Sequence, residues 1–154
     1  MFTQILSALE HSTADVIFMA EQDVLYSPSH FDFIPREPLK VFYNLNLWQY
    51  GILNNKCVYW DAKRVSQLCG YRDALLAHYR KRLEIVERDG FTMAMGYEPG
   101  SHHRKERVDD LQSDTWRSEQ PNVDIKHGGN LSPTKWALSD FRTPPTGWTE
   151  ADSV

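Results

Sequence analysis

Two carboxylates follow directly after an apolar stretch near the start of the 154-residue chain. Residues 16–20 are Val, Ile, Phe, Met and Ala, and Glu21 and Asp23 come next. Residues i and i+2 of an extended segment point to the same side, so we expect both carboxylates to face one way. They would repel each other without a cation, and Mg²⁺ or Mn²⁺ prefers oxygen ligands. The pattern predicts a divalent-cation site open to phosphate oxygens, and its alternative is a strand end with two solvated acids.

A second polar cluster spans Asp124 to Asn130 and also follows a predicted strand. That strand, in "NVDIKHGGNLS", ends at His127 and opens into a Gly-Gly turn. Lys126 is a candidate phosphate contact there, and its alternative is an ordinary surface lysine. Two polar clusters at strand ends favour a ligand site, because open α/β sheets bind ligands at the carboxyl ends of their strands.

The elements that must position these residues alternate between strands and helices. The run 16–20 is apolar on both faces, which is typical of a strand covered on both sides in a parallel sheet. "VFYNLNLWQY" (41–50) and "CVYW" predict a hairpin across the turn "GILNNK". We expect helices near the N-terminus, begun by Thr3, from Asp61 to Leu68, and most clearly from Arg72 to Arg88, ended by Gly90.

Later segments predict a further strand and long loops. "FTMAMGYE" from Phe91 reads as a strand, and residues 99–122 read as a long polar loop. The loop contains His102 and His103, for which a metal pair is less favoured than a solvated loop. It also contains Trp116, the best candidate among the five tryptophans for an exposed aromatic that would pack against a sugar, although a core position is the favoured interpretation of the tryptophans. Residues 143–154 are predicted to be irregular.

The composition is that of a globular protein, with 41% hydrophobic and 25% charged residues. The formal net charge of −4 argues against a nucleic-acid partner, which usually selects a basic surface. No apolar run is long enough to predict a membrane span. Without a signal-peptide pattern we expect a cytoplasmic protein, in which Cys57 and Cys69 stay reduced.

Three segments together resemble the later part of a GT-A-type glycosyltransferase, which transfers a sugar from a nucleotide-diphospho-sugar. They are "VIFMAEQDVLY", "LCGYRDALLAHY" and "DIKHGGNLS". The resemblance implies that Glu21 and Asp23 form the acidic motif that binds Mn²⁺ or Mg²⁺ and the diphosphate. It also implies that His127 completes the metal site, because many such enzymes carry a late histidine there.

The resemblance further implies a general base that takes the proton of a hydroxyl acceptor, which would be a carbohydrate or another alcohol. Glu98 and Asp73 are the candidates. Glu98 precedes Pro99-Gly100 at the end of a predicted strand. For Asp73 the alternative is a first-turn helix residue favoured by the helix dipole.

We therefore expect an α/β fold, a partial GT-A-like (Rossmann-like) mixed sheet flanked by helices, with long irregular loops. Residues 1–142 would form one domain and 143–154 a tail. In the family several β-α units precede the acidic motif, whereas one short helix does here. The chain would therefore be a fragment, a shortened descendant, or a truncated domain completed by a homo-oligomer or a partner chain. The alternatives are a non-catalytic binding or assembly module derived from that fold, and a metal-dependent hydrolase.

Overall fold

The computed structural model describes residues 2–103, 105, 107–130 and 134–152. Within these ranges the fold is mixed α/β, with two α-helices and two β-sheets. The elements in chain order are α1 (Phe2–His11), β1 (Val16–Phe18), β2 (Val24–Leu25), β3 (Lys40–Asn44), β4 (Leu47–Gly51), β5 (Lys56–Tyr59), β6 (Leu68–Tyr71), α2 (Arg72–Asp89), β7 (Gln112–Trp116), β8 (Asn122–Lys126) and β9 (Thr149–Ala151).

The chain divides into two compact units, each assembled from three segments. Unit 1 comprises Met1–Met19, Ile34–Tyr43 and Lys63–Thr115. Unit 2 comprises Ala20–Phe33, Asn44–Ala62 and Trp116–Val154. Each unit has its own sheet.

Unit 1 is built on a four-stranded sheet in the order β1-β6-β3-β7. Strand β6 pairs antiparallel with both β1 and β3. Helix α1 packs against α2. Together the helices and the sheet bury a core that includes Leu9, Val41, Tyr43, Leu68, Leu75 and Tyr79.

Unit 2 is built on a five-stranded mixed sheet in the order β2-β8-β4-β5-β9. Strands β4 and β8 pair in parallel, with Gln49 opposite Asp124. The other neighbours pair antiparallel, with Val24 opposite Asp124 at the β2–β8 end. Leu47, Val58 and Tyr59 are among the buried side chains of this sheet.

Three sequence predictions are confirmed at the level of elements. Helix α2 runs from Arg72 to Asp89 and ends at Gly90, whose φ of 80° suits glycine alone. Strands β4 and β5 form the expected antiparallel hairpin. Strand β8 ends one residue before His127 and leads into the predicted turn.

The segment 41–50 is split between the two sheets rather than forming one strand. The side chain of Asn44 causes the break, because its Oδ1 accepts the Asn46 amide hydrogen at 2.9 Å. The chain turns again where the Leu47 amide donates to the Leu45 carbonyl at 2.9 Å. Strand β3 therefore ends at Asn44, and β4 begins at Leu47 in the other sheet.

Strand β1 is an antiparallel edge strand, so the prediction of a parallel strand covered on both sides is wrong. It has one neighbour, β6, and its three residues are half-buried. The apolar run that suggested a central strand instead divides at the boundary between the units, after Met19.

Other segments also differ from the sequence prediction. The expected strand after Phe91 is a 3₁₀ helix, Met93–Gly96, since the Arg82 guanidinium binds the Met95 and Tyr97 carbonyls that a strand would pair. The expected helix to Leu68 is a 3₁₀ turn, Val65–Gln67, followed by β6. The loop 99–122 contains β7, and the predicted irregular tail contributes β9.

Among the described residues, no helix is long and apolar enough to cross a membrane.

Candidate functional site

Unit 2 contains a cavity of about 380 Å³ lined by residues from both predicted polar clusters. Its lining residues are Glu21, Gln22, Asp23, Lys126, His127, Gly129 and Asn130. Four of them are the residues that the sequence assigned to metal and diphosphate, although about a hundred positions separate the two clusters. The structure therefore brings these four candidates together at one site.

Strand pairing between β2 and β8 places the two clusters side by side. Asp23 directly precedes β2, and its carbonyl accepts the Ile125 amide hydrogen at 2.8 Å. Lys126 is the last residue of β8. Glu21 is held at the start of the turn, since its amide donates to the Tyr26 hydroxyl at 3.0 Å. The backbone of two adjacent strands thus fixes where the acidic motif meets Lys126 and His127.

Asn130 links the acidic motif to the glycine turn. Its Nδ2 donates to Asp23 Oδ2 at 2.7 Å. Its Oδ1 accepts the His127 amide hydrogen, and its own amide donates to the His127 carbonyl at 3.2 Å. Asn130 therefore orients the Asp23 carboxylate. Asn130 belongs to the predicted polar cluster but had no predicted role, although an amide that ends a Gly-Gly turn is a signal for such a bridge.

The His127 ring is engaged by its own turn. The Gly129 amide donates to His127 Nδ1 at 3.1 Å, so in the neutral ring the proton lies on Nε2. A cation at Nδ1 would have to replace the Gly129 hydrogen bond, and a cation at Nε2 would require the other tautomer. Both changes are accessible because His127 is exposed.

The donor set fits a divalent cation that is completed by a ligand, not a closed protein cage. In the part of the chain that the structure describes, no three His, Cys, Asp or Glu side chains lie close enough to hold a metal ion together. Mg²⁺ commonly binds through one or two carboxylates and takes its remaining ligands from water and phosphate. Asp23 and Glu21 would supply the carboxylates of such a site, and His127 lies on the same cavity as a further candidate ligand.

Lys126 is paired with a buried carboxylate that the sequence analysis did not single out. Its Nζ lies 2.8 Å from Asp124 Oδ2, and the side chain of Asp124 is only 5% exposed. Gln49 Nε2 donates to the same oxygen at 3.4 Å. The Asp124 charge offsets that of Lys126, so Glu21 and Asp23 leave the cavity with a net negative charge.

The nearby phenol of Tyr26 responds to the same acidic surroundings. Burial raises the pKa of Tyr26 to about 12, and the charges of Glu21, Asp124 and Asp23 contribute in the same direction, against the hydrogen bond from the Glu21 amide. The Tyr26 hydroxyl therefore stays protonated at neutral pH, and its oxygen accepts the Glu21 amide hydrogen.

The two general-base candidates lie in unit 1 and line different cavities of that unit. Asp73 is in the first turn of α2, with its side chain 92% exposed and 3.3 Å from Arg72 Nη1. Glu98 is half-buried and shares a small cavity with His78, Arg82, His102 and Asp109.

A buried His78–Asp109 pair in unit 1 was missed by the sequence analysis. His78 Nδ1 lies 2.7 Å from Asp109 Oδ2, and the His78 side chain is 3% exposed. The sequence did contain one signal for it: His78 and Arg82 are polar residues four positions apart, on one face of the helix beside its apolar stripe. Asp109 carried no signal, because it belongs to an acidic stretch that reads as solvated loop.

Two other sequence candidates are less open than expected. Trp116 is half-buried, and the ring of Phe33 stacks on it at 4.2 Å, so the prediction of a freely exposed aromatic is wrong. His102 packs against Tyr97 at 3.5 Å between ring centres, whereas its neighbour His103 is exposed.

Comparisons with protein-family models, with curated proteins and with solved structures found no match to this chain.

Proposed function

We propose that the protein is a metal-dependent glycosyltransferase, or the catalytic and acceptor half of one. It transfers a sugar from a nucleotide-diphospho-sugar to a hydroxyl acceptor. The observation that carries the proposal is the convergence of Glu21, Asp23, Lys126 and His127 on one cavity of about 380 Å³. The resemblance of three sequence segments to the GT-A family supports the choice of a nucleotide-sugar over other phosphate ligands.

The charge of the cavity explains why binding should depend on a metal ion. Glu21 and Asp23 would repel a diphosphate, and the one lysine on the cavity is already paired with Asp124. Like charges destabilise an ion close to them, while a divalent cation reverses the sign of the local field. We therefore expect Mn²⁺ or Mg²⁺ and the diphosphate to bind together, each weakly without the other.

The residues of the chain have distinct roles in this proposal. Asp23, oriented by Asn130, and Glu21 hold the cation, with His127 as a further ligand. The cation would act as a Lewis acid toward the departing nucleoside diphosphate. Lys126 lines the same cavity and would contact the diphosphate. The sequence candidates for the base that takes the proton of the acceptor hydroxyl are Glu98 and Asp73, and both belong to unit 1.

Calorimetric titration of UDP and GDP, with and without Mn²⁺, tests the site directly. The wild type should bind either UDP or GDP, and it should do so only when Mn²⁺ is present. Asp23→Ala should abolish that binding. Asp32→Ala is the matched control, because Asp32 is an exposed aspartate of unit 2 that does not line the cavity. Binding that is absent in the wild type, or that survives in Asp23→Ala, would overturn the proposal.

The second candidate is a binding or assembly module that keeps the cavity without catalysis. It is favoured by the engagement of His127 Nδ1 with Gly129, which leaves the metal ligands incompletely assembled. Metal-dependent nucleotide binding without release of the sugar from any donor would support this candidate. We also propose that a second copy or a partner chain supplies the remaining nucleotide contacts, and gel filtration showing a monomer in the presence of Mn²⁺ and nucleotide would count against it.

A further inference from the structure

A small cavity in unit 1 lies beside two buried side chains that each have an unmatched polar atom. The cavity has a volume of about 10 Å³, and both His78 and Arg82 line it. These side chains are 3% and 4% exposed. Among the described residues, neither His78 Nε2 nor Arg82 Nε has a hydrogen-bond partner. Such atoms are costly to bury, which points to a ligand.

Asp109 fixes the orientation of the His78 ring. Its Oδ2 meets His78 Nδ1 at 2.7 Å, and its Oδ1 accepts the Leu111 amide hydrogen at 3.0 Å. Burial acts to raise the pKa of Asp109, but its hydrogen bonds with His78 and with the Leu111 amide, together with the charge of Arg82, hold it below its usual range. An ionised carboxylate only accepts, so Nδ1 carries the proton and Nε2 of the neutral ring presents a lone pair.

Arg82 presents a hydrogen-bond donor on the same side of α2 as the acceptor nitrogen of His78. It lies four residues after His78, one helical turn along the same face. Its two terminal nitrogens are held by backbone carbonyls, with Nη1 donating to Met95 at 3.0 Å and Nη2 donating to Tyr97. The remaining Nε–H is a donor without an acceptor in the part of the chain that the structure describes.

A hydroxyl group has both of the functions that these two atoms lack, an acceptor for Arg82 Nε–H and a donor for His78 Nε2. Its oxygen accepts from Arg82 Nε–H, and its own O–H donates to His78 Nε2. A cavity of about 10 Å³ corresponds to roughly one water-sized probe sphere, so the hydroxyl oxygen is the part of the ligand that it holds. We propose that this cavity binds the hydroxyl group of water or of a small alcohol, and that the His78–Asp109 pair is its proton acceptor.

The proton balance of this site is simple. The ligand O–H bond breaks, its electron pair stays on oxygen, and the proton bonds to His78 Nε2. Asp109 stabilises the imidazolium that results, and the Arg82 guanidinium stabilises the oxygen anion. Glu98, Arg107 and His102 line the same cavity and complete its charged surroundings. The site lies within unit 1, and the proposal rests on its own geometry rather than on the function proposed for the cavity of unit 2.

Nitrogen-15 NMR of the full-length labelled protein tests the tautomer on which the site depends. We expect neutral His78 to carry its proton on Nδ1. His127 is the internal comparator, because its Nδ1 accepts from Gly129 and its proton should lie on Nε2. A proton on Nε2 of His78 would overturn the proposal, since the ring would then present no lone pair to the cavity.

Cross-relaxation to solvent tests the ligand in the same sample. We expect Arg82 Hε to show a cross-peak to a long-lived water molecule. Adding methanol separates the two sources: a methyl cross-peak at Arg82 Hε identifies an alcohol hydroxyl, and an unchanged water peak identifies water. The absence of both cross-peaks would mean that the cavity is empty, and this result would overturn the proposal.

A pair of neighbouring variants tests the role of Asp109. Asp109→Asn should shift the His78 proton toward Nε2, because the new amide can donate to Nδ1. Asp110→Asn is the matched control at an adjacent exposed position and should leave the His78 tautomer unchanged. An unchanged tautomer in folded Asp109→Asn would contradict the proposal. If Asp109→Asn does not fold, the wild-type tautomer and solvent contacts decide the question.

Discussion

At the scale of single residues, His30 shows how unit 2 uses a titratable side chain for structure. The ring is fully buried, and the side-chain amides of Asn44 and Asn122 both lie 3.0 Å from its Nδ1. Two amide donors require an acceptor there, so the folded state holds the neutral ring. Burial accordingly lowers the pKa of His30 from 6.5 to about 4.

This lowered pKa predicts that stability falls as the solution is acidified. The unfolded chain takes up a proton at His30 near pH 6.5, whereas the folded chain resists until about pH 4. Unfolding is therefore favoured progressively between these values, with a total loss of about 3 kcal/mol. Urea unfolding should give a lower free energy of unfolding at pH 5 than at pH 7.5, which defines the pH slope of stability. His30→Gln should remove most of it, and an equal slope in His30→Gln would show that other groups cause it.

A second residue-scale prediction concerns the pairing of Lys126 with Asp124. Lys126→Met removes the cation that pairs with the Asp124 carboxylate, whose side chain is only 5% exposed. The loss of one partner from a buried ion pair typically costs about 3–5 kcal/mol of stability. Thermal unfolding should show this destabilisation, which the double variant Asp124→Asn/Lys126→Met should partly reverse. Lys56→Met removes an exposed lysine of the same sheet and should change stability by less than about 0.5 kcal/mol. Equal effects of Lys126→Met and Lys56→Met would contradict a stabilising pair.

At the scale of elements, the sequence predicted well where local pattern and local packing agree. Helix α2 has an apolar stripe and a terminal glycine, and the β4–β5 hairpin has a marked turn. The prediction failed where a distant side chain decides the backbone. Arg82 captures the carbonyls of a segment that alternates like a strand, and Asn44 breaks a continuous β-rich run.

The same distinction applies to the candidate sites. Glu21, Asp23, Lys126 and His127 were candidates because they lie at the ends of predicted strands. The structure places all four on one cavity. The Asp124–Lys126 pair was not predicted, because both residues were interpreted only as members of one polar cluster at a strand end. His78 and Asp109 meet across 31 residues of chain, and no local pattern encodes that approach.

Glycine substitutions test the backbone at the end of α2. Gly90 has a φ of 80° and a ψ of 172°, a conformation almost restricted to glycine. A Cβ there would meet nothing within 4 Å, so Gly90→Ala should cost about 1–3 kcal/mol through backbone strain alone. Gly96→Ala is the control, because Gly96 has neither a positive φ nor a neighbour within 4 Å. Chemical denaturation that ranks the two variants equally would contradict this explanation.

At the scale of the whole molecule, the path of the chain ties the two units together. The chain passes from one unit to the other after residues 19, 33, 43, 62 and 115. Neither unit is a continuous segment, so the segments of each unit are connected only through the chain of the other. Strands β3 and β7 begin in unit 1, and their last residues, Asn44 and Trp116, belong to unit 2. We therefore expect the protein to unfold in one cooperative transition.

The distribution of residues supplies independent probes of this cooperativity. All five tryptophans lie in unit 2, whereas both α-helices of the described residues lie in unit 1. Indole fluorescence therefore reports unit 2, and circular dichroism at helical wavelengths reports unit 1. Leu75→Ala should cost about 2–5 kcal/mol, because Leu75 is fully buried in the core of unit 1. The urea midpoints from both probes should fall together, since cooperative unfolding transmits the loss to unit 2. A fluorescence midpoint that stays at its wild-type value while the dichroism midpoint falls would show that the units unfold independently.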